Sequence, residues 1–260
     1  MLKVKGVRRD HIGARTVRHV AGVVSVALAE AVEQELMQSN PMYRLKFPSA
    51  ERKDARSLTP AEIQALREAC RGDWIFPLIE LALATGARRG ELLALTWADL
   101  DWIGGAVTIS KSVEQTRAGL RIKEPKGKKT RTFSLGKTAL AALQFRRDEQ
   151  AEHARKFGSD YRAGLNLIFT QPNGDYLAPD LVSQVIVRRM AKAGIKGSIH
   201  MLRHSHASHL LSNGVPLPAV SARLGHADTN VTARVYSHAL PDDDRRGADT
   251  WDKLIGGPLQ

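Results

Sequence analysis

Three short strand-like runs fall within residues 106–135, and long helical segments lie on either side of them. The runs are "AVTIS" (106–110), "RIK" (121–123) and "RTFSL" (131–135), joined by turns. Upstream, "WIFPLIELALATG" (74–86) has the apolar character of a buried helix, stopped by Gly86, and "GELLAL" (90–95) begins another. Downstream, residues 137–156 return to helical character. "LIFT" (167–170) and "DYL" (175–177) suggest a small hairpin through "QPNG". From Pro179 onward the pattern is helical, broken at Gly194–Gly197, Gly214 and Gly225. The expectation is a mainly α fold with a small antiparallel β-sheet (α+β).

The N-terminal part reads separately. Residues 14–37 place Val17, Val20, Val24, Ala27, Leu28, Ala31 and Val32 on one helical face. Residues 40–57 are polar and charged and include Pro41 and Pro48, as a linker would. "LTPAEIQAL" then opens a new helix. Thr59 is its expected N-cap, Pro60 fits the first turn, and Glu62 completes a capping box. A domain boundary is placed just before it, giving expected segments 1–56, 57–240 and 241–260.

Charge narrows the function. Lys+Arg number 39 against 27 Asp+Glu, a formal net charge of +12. The bland reading is a solvated surface, but so basic a chain suits a polyanion, and nucleic acid leads. Cys70 is the single cysteine, so no intrachain disulfide framework forms and a reducing, cytoplasmic interior suits the chain. No apolar run approaches the length of a membrane span. The basic N-terminus lacks the apolar core of a signal peptide.

"IHMLRHSHASHLL" (199–211) gathers His200, Arg203, His204, His206 and His209. Metal binding fits poorly. His200 and His204 share a helical face, but no cysteine and no HExxH accompanies them, and Arg203 would repel a cation. An anion suits His200 and Arg203 better, since a guanidinium fork and a ring nitrogen match a phosphate diester. "ATGARRGELLAL" (84–95) sets Arg88 at a helix start with Glu91 three residues on, where the alternative is a surface ion pair. "EPKGKKTRTFSL" (124–135) is a basic hairpin. Residues 121–137 hold seven Lys/Arg against one Glu, which suits a DNA backbone as well as a solvated turn. "RLGHADTNVTARVYSH" (223–238) adds His226 and then Tyr236.

Together these segments resemble the tyrosine recombinases, or phage-type integrases, over roughly residues 57–240. "TGARRGEL" resembles the first arginine box, with Arg88 catalytic and Glu91 supporting. "PKGKKTRTFSL" resembles the strand hairpin that delivers a lysine. Aligning Arg131 with the family's later hairpin arginine makes Lys126 that lysine, with Lys128, Lys129 and Arg131 as DNA-backbone contacts. "HMLRHSHASHLL" resembles the second box, with His200 and Arg203. "LGHADTNVTARVYSH" supplies His226 and the nucleophile Tyr236. His204, His206 and His209 are then packing, capping or surface residues.

The resemblance implies a chemistry. Tyr236 attacks a phosphodiester of double-stranded DNA, forming a 3′-phosphotyrosyl link and releasing a 5′-hydroxyl. His200 accepts the phenol proton, Arg88 and Arg203 neutralise the phosphate, Lys126 protonates the leaving oxygen, and His226 adds a hydrogen bond. No metal, ATP or other cofactor is implied, nor any membrane or small-molecule substrate. A tetramer on paired DNA sites is. Residues 14–47 resemble only the last part of the family's core-binding domain, through its closing "NP" turn. The expectation is a core-binding domain without its first helices. Residues 242–255 space Ala248, Trp251, Leu254 and Ile255 helically, as in tails that dock on a neighbouring protomer. The rival readings are a topoisomerase-like strand passer, a cleavage-deficient DNA-binding protein and a metal-dependent nuclease.

Overall fold

The computed structural model describes residues 12–48, 56–124, 130–225 and 228–236. The chain divides into two compact units, Met1–Asp54 and Ala55–Gln260.

In the first unit, α1 (Ala14–Glu33) follows the expected helical stretch. A 3-10 turn at Pro41–Arg44 follows it, capped by Asn40, whose Oδ1 accepts from the Met42 N–H at 3.0 Å. The Asn40 side chain also donates to the Ser25 carbonyl at 2.8 Å, which fixes the returning chain against α1. The expected apolar face is not a buried one. Ala21 is the buried residue of α1, whereas Val20 and Val24 are exposed, as are Val23 and Val26. Among the described residues of this unit, only a short returning segment packs on the helix, too little to cover a stripe of valines.

The second unit opens on α2 (Pro60–Ala69), with Thr59, Pro60 and Glu62 forming the expected capping box. Then come α3 (Phe76–Thr85) and α4 (Arg89–Leu93). Gly86 ends α3 at φ 64°, and a Cβ there would also press within 2.7 Å of the His206 ring, so glycine is needed twice over. Next are β1 (Leu100–Asp101), β2 (Ala106–Ile109), β3 (Ser112–Thr116), β4 (Gly119–Lys123) and β5 (Arg131–Ser134). The helices α5 (Lys137–Phe157), α6 (Pro179–Lys192), α7 (Ile199–Ser212), α8 (Leu217–Leu224) and α9 (Thr229–Tyr236) follow.

The fold is mainly helical with antiparallel strands, as expected, but the strands divide differently. Among the described residues, β1, β2 and β5 form one antiparallel sheet, and β3 pairs with β4 in a separate ribbon. "RIK" therefore lies beside Ser112–Val113–Glu114, not beside "AVTIS". The expected "LIFT"/"DYL" hairpin reduces to a single bridge between Thr170 and Tyr176. The Ile168 N–H donates to the Leu95 carbonyl, and the buried Arg146 takes the carbonyls of Ile168 and Thr170.

The main core brings together Leu66, Ile79, Leu81, Leu92, Val107, Phe133, Leu143, Ile186 and Leu202, all nearly inaccessible. A second cluster (Ala207, Leu211, Val220, Leu224 and Tyr236) joins α7, α8 and α9. Burial of these apolar faces is what carries α7 and α8 against α3 and β5. Among the described residues no helix is long and apolar enough to cross a membrane. The expected tail contact at residues 242–255 lies outside the described residues.

Candidate active site

Helix α4 is too short to be stable alone, and its start is held by side chains. Glu91 accepts the Arg88 N–H at 2.8 Å and the Arg88 guanidinium at 3.0 Å. The Arg88 side chain stays about half exposed, at 47%. Its cation is therefore aimed by Glu91 while most of its donor fork remains open to an incoming anion.

Glu91 is itself buried and has a second partner. Arg131 on β5 lies 2.7 Å from the same carboxylate. Burial pushes the Glu91 carboxyl up, but Arg131, the Arg88 N–H and the Arg88 guanidinium outweigh it and hold the group below its usual range. Glu91 is thus a fixed anion between two arginines.

Arg203, on α7, is 8% exposed. It donates to the Gly86 carbonyl and to the Leu224 carbonyl, each at 2.7 Å. These are the end of α3 and the end of α8. Burial, and then the nearby Arg88 charge, lower its pKa to about 10, which leaves it charged at neutral pH. The Leu224 carbonyl also accepts from Arg131 at 2.5 Å. Arg88, Glu91, Arg131 and Arg203 thus form one connected group, drawn from α4, β5 and α7 and closed by α8.

Tyr236, at the end of α9, is 1% exposed. Burial raises its phenol pKa, and the charge of Arg203 works against that rise. Its hydroxyl lies 2.8 Å from Nδ1 of His204. Sequence reasoning puts His204 among packing, capping or surface residues, whereas in the structure it touches the phenol. The available signal is its position beside Arg203 and one turn from His200. His200 is exposed at the start of the same helix.

The other two histidines hold backbone. His206 donates from Nδ1 to the Leu83 carbonyl at 2.7 Å, and its Nε2 accepts from Arg223 at 3.3 Å. Burial lowers its pKa to about 4, with the Arg223 and Arg203 charges adding to the effect, so it is neutral at pH 7. His209 meets the Leu58 carbonyl at 2.7 Å. Arg223 reaches the Ala84 carbonyl at 3.0 Å and lies over the Phe133 ring at 5.3 Å. Sequence reasoning does not single out Arg223, which bonds to His206 and to a backbone carbonyl far along the chain.

Lys126, Lys128, Lys129 and His226 lie outside the described residues.

Comparison with known proteins bears on the family and the fold. The family model described as the phage integrase family matches residues 56–242. A "Tyrosine recombinase XerC-like" protein of Caldanaerobacter subterraneus subsp. tengcongensis is 26% identical over 261 residues, covering 93% of this chain and 67% of the relative. The ICEBs1 integrase of Bacillus subtilis is 26% identical, covering 96% and 69%. Among solved structures, the Tn1549 transposon integrase in complex with transposon right end DNA superposes with a TM-score of 0.79 at 20% identity, covering 92% of this chain and 80% of that one. A lambda integrase tetramer bound to a Holliday junction gives 0.63 at 18% identity, covering 85% and 59%. At those identities the structural matches speak for the fold.

Proposed function

The chain belongs to the phage integrase family and is a tyrosine-type DNA recombinase, and from that premise we propose that Tyr236 is its nucleophile, working on a phosphate held by Arg88 and Arg203. The observation that supports this reading is the connected group of Arg88, Glu91, Arg131 and Arg203, with Tyr236 close enough for the Arg203 charge to act on its phenol.

In the proposed step Tyr236 Oη forms a bond to phosphorus and the bond from phosphorus to the 5′-oxygen breaks. The phenol proton goes to His200, and Lys126 gives a proton to the departing oxygen. Arg88 and Arg203 neutralise the charge that builds on the non-bridging oxygens, and His226 donates a further hydrogen bond. Glu91 orients Arg88. Lys128 and Lys129 contact the DNA backbone. The 3′-phosphotyrosyl link keeps the energy of the broken bond, so a 5′-hydroxyl of a second duplex can reverse the step without ATP. Fixed cations supply the charge neutralisation, and the reading assigns no metal and no other cofactor.

The partner is double-stranded DNA, and strand exchange between two duplexes calls for a tetramer. We place the chain on DNA in the cytoplasm. Residues 1–56 are read as part of a core-binding domain with its linker, and residues 57–240 as the catalytic domain.

The test is incubation with nicked duplexes of random sequence, which trap the covalent state, followed by a denaturing gel. A protein–DNA band that survives EDTA and disappears in Tyr236→Phe supports the reading. A band that Tyr236→Phe retains, or DNA cleavage abolished by EDTA, contradicts it. Supercoil relaxation without strand exchange would favour the strand-passing alternative.

A further inference from the structure

We propose that Arg131 is a positioning residue that locks the first arginine box to the turn after α8, and not a contact to the DNA backbone. Resting on the assignment of Tyr236 as nucleophile, this adds a residue that sets the geometry of the site without touching the phosphate.

Three observations carry it. First, the Arg131 side chain is 13% exposed and its guanidinium is spent on protein acceptors at both ends. Nη2 lies 2.7 Å from Glu91, and Nη1 donates to the Leu224 carbonyl at 2.5 Å. A backbone contact needs a cation facing outward. Second, each acceptor is shared with a phosphate-binding arginine. Glu91 also holds Arg88 at 3.0 Å, and the Leu224 carbonyl also takes Arg203 at 2.7 Å. Arg131 is therefore one link from each arginine, and it is the one described side chain that bonds to both acceptors. Third, the turn is shaped around it. Gly225 sits at φ 65°, and a Cβ there would overlap the Arg131 guanidinium. Cation–π contact with Phe133, 5.6 Å from the ring centre, steers the side chain along β5.

The geometry explains why arginine is needed. A planar fork can bridge a carboxylate and a carbonyl on opposite sides, whereas an ammonium is a point donor on a flexible stem. Arg131→Lys keeps the charge and loses the bridge. A phosphate contact would tolerate that exchange, and a positioning role would not.

The test uses the full chain and the nicked duplex that wild-type protein captures best from a random-sequence pool. Arg131→Lys is expected to bind this duplex with unchanged affinity and unchanged salt dependence. Its rate of adduct formation at saturating DNA should fall by about 100-fold, the scale of a displaced reacting group. Wild-type cleavage rate in Arg131→Lys would overturn the proposal. So would an Arg131→Met variant whose salt slope drops by about 1 with its saturated rate intact, because that is the signature of a phosphate contact. If Arg131→Met fails to fold, Glu91→Gln decides. Combined with Arg131→Lys it should cost little more than either change alone, in adduct rate and in melting temperature, and strict additivity would overturn the link. Tyr236→Phe runs alongside. An adduct in that variant is a failure of the nucleophile assignment and leaves the Arg131 comparison readable on whichever residue carries the DNA.

Discussion

The Tyr236 hydroxyl and Nδ1 of His204 lie 2.8 Å apart, in a site where Tyr236 is 1% exposed. The hydrogen bond holds the phenol inward, against the second hydrophobic cluster. Tyr236 should therefore resist nitration in the free protein, while Tyr43, 76% exposed, reacts readily. His204→Ala should raise the nitration rate of Tyr236 toward that of Tyr43 and cost about 1 kcal/mol of stability. Equal protection in both proteins would show that His204 does not hold the phenol.

Gly225→Ala should be more damaging than its size suggests. The new Cβ meets a backbone at φ 65° and the Arg131 guanidinium together. The conformational strain alone costs about 1 kcal/mol, and displacing Arg131 takes one donor from each of two buried acceptors, leaving Glu91 with Arg88 and the Leu224 carbonyl with Arg203. The expected result is a lowered melting temperature with loss of adduct formation. A Gly225→Ala protein that melts and reacts as wild type would contradict the packing described.

His206 sets an acid limit. Its imidazole falls from the ordinary 6.5 to about 4 on folding, so the folded protein keeps it neutral while the unfolded chain takes up a proton. Its contribution is complete above about pH 6.5 and is lost as pH drops through 4, a change of about 3 kcal/mol. His206→Asn can still donate to the Leu83 carbonyl but cannot titrate. Melting curves between pH 7 and pH 4.5 should flatten in the variant. A wild-type slope that persists in His206→Asn would place the titration elsewhere.

Arg146 is a structural cation with no place in the chemistry. It is 2% exposed and donates to Ile168, Thr170 and Glu149. Arg146→Leu should take a donor from the Thr170 carbonyl, leave the Ile168 carbonyl with Gln150 alone and destabilise the fold by about 3 kcal/mol. A melting temperature equal to wild type would contradict that role.

What the sequence discloses follows from how local each signal is. The capping box at Thr59 and Glu62 and the stop at Gly86 are readable because their partners lie within a few residues. Strand β3 is not, because "SVEQT" buries Val113 alone and presents no alternation to read. The Arg88–Glu91 pair is legible from its i, i+3 spacing. The structural partners of Arg131, His206 and Arg223 are opaque, since these residues bond to carbonyls at Leu224, Leu83 and Ala84, and a backbone acceptor carries no residue signature. The role of His204 is hidden because burial of Tyr236 depends on the packing of α7 against α9, which no spacing within either helix reveals.

If Tyr236 forms the bond to DNA, peptide mapping of the trapped adduct will find the link on it. Trypsin should release residues 235–245, "VYSHALPDDDR", carrying a nucleotide remnant on Tyr236. Fragmentation that places the remnant on Tyr236, with none in Tyr236→Phe, is the predicted result. A remnant on Tyr161, Tyr176 or any serine, at equal yield in Tyr236→Phe, would contradict the account.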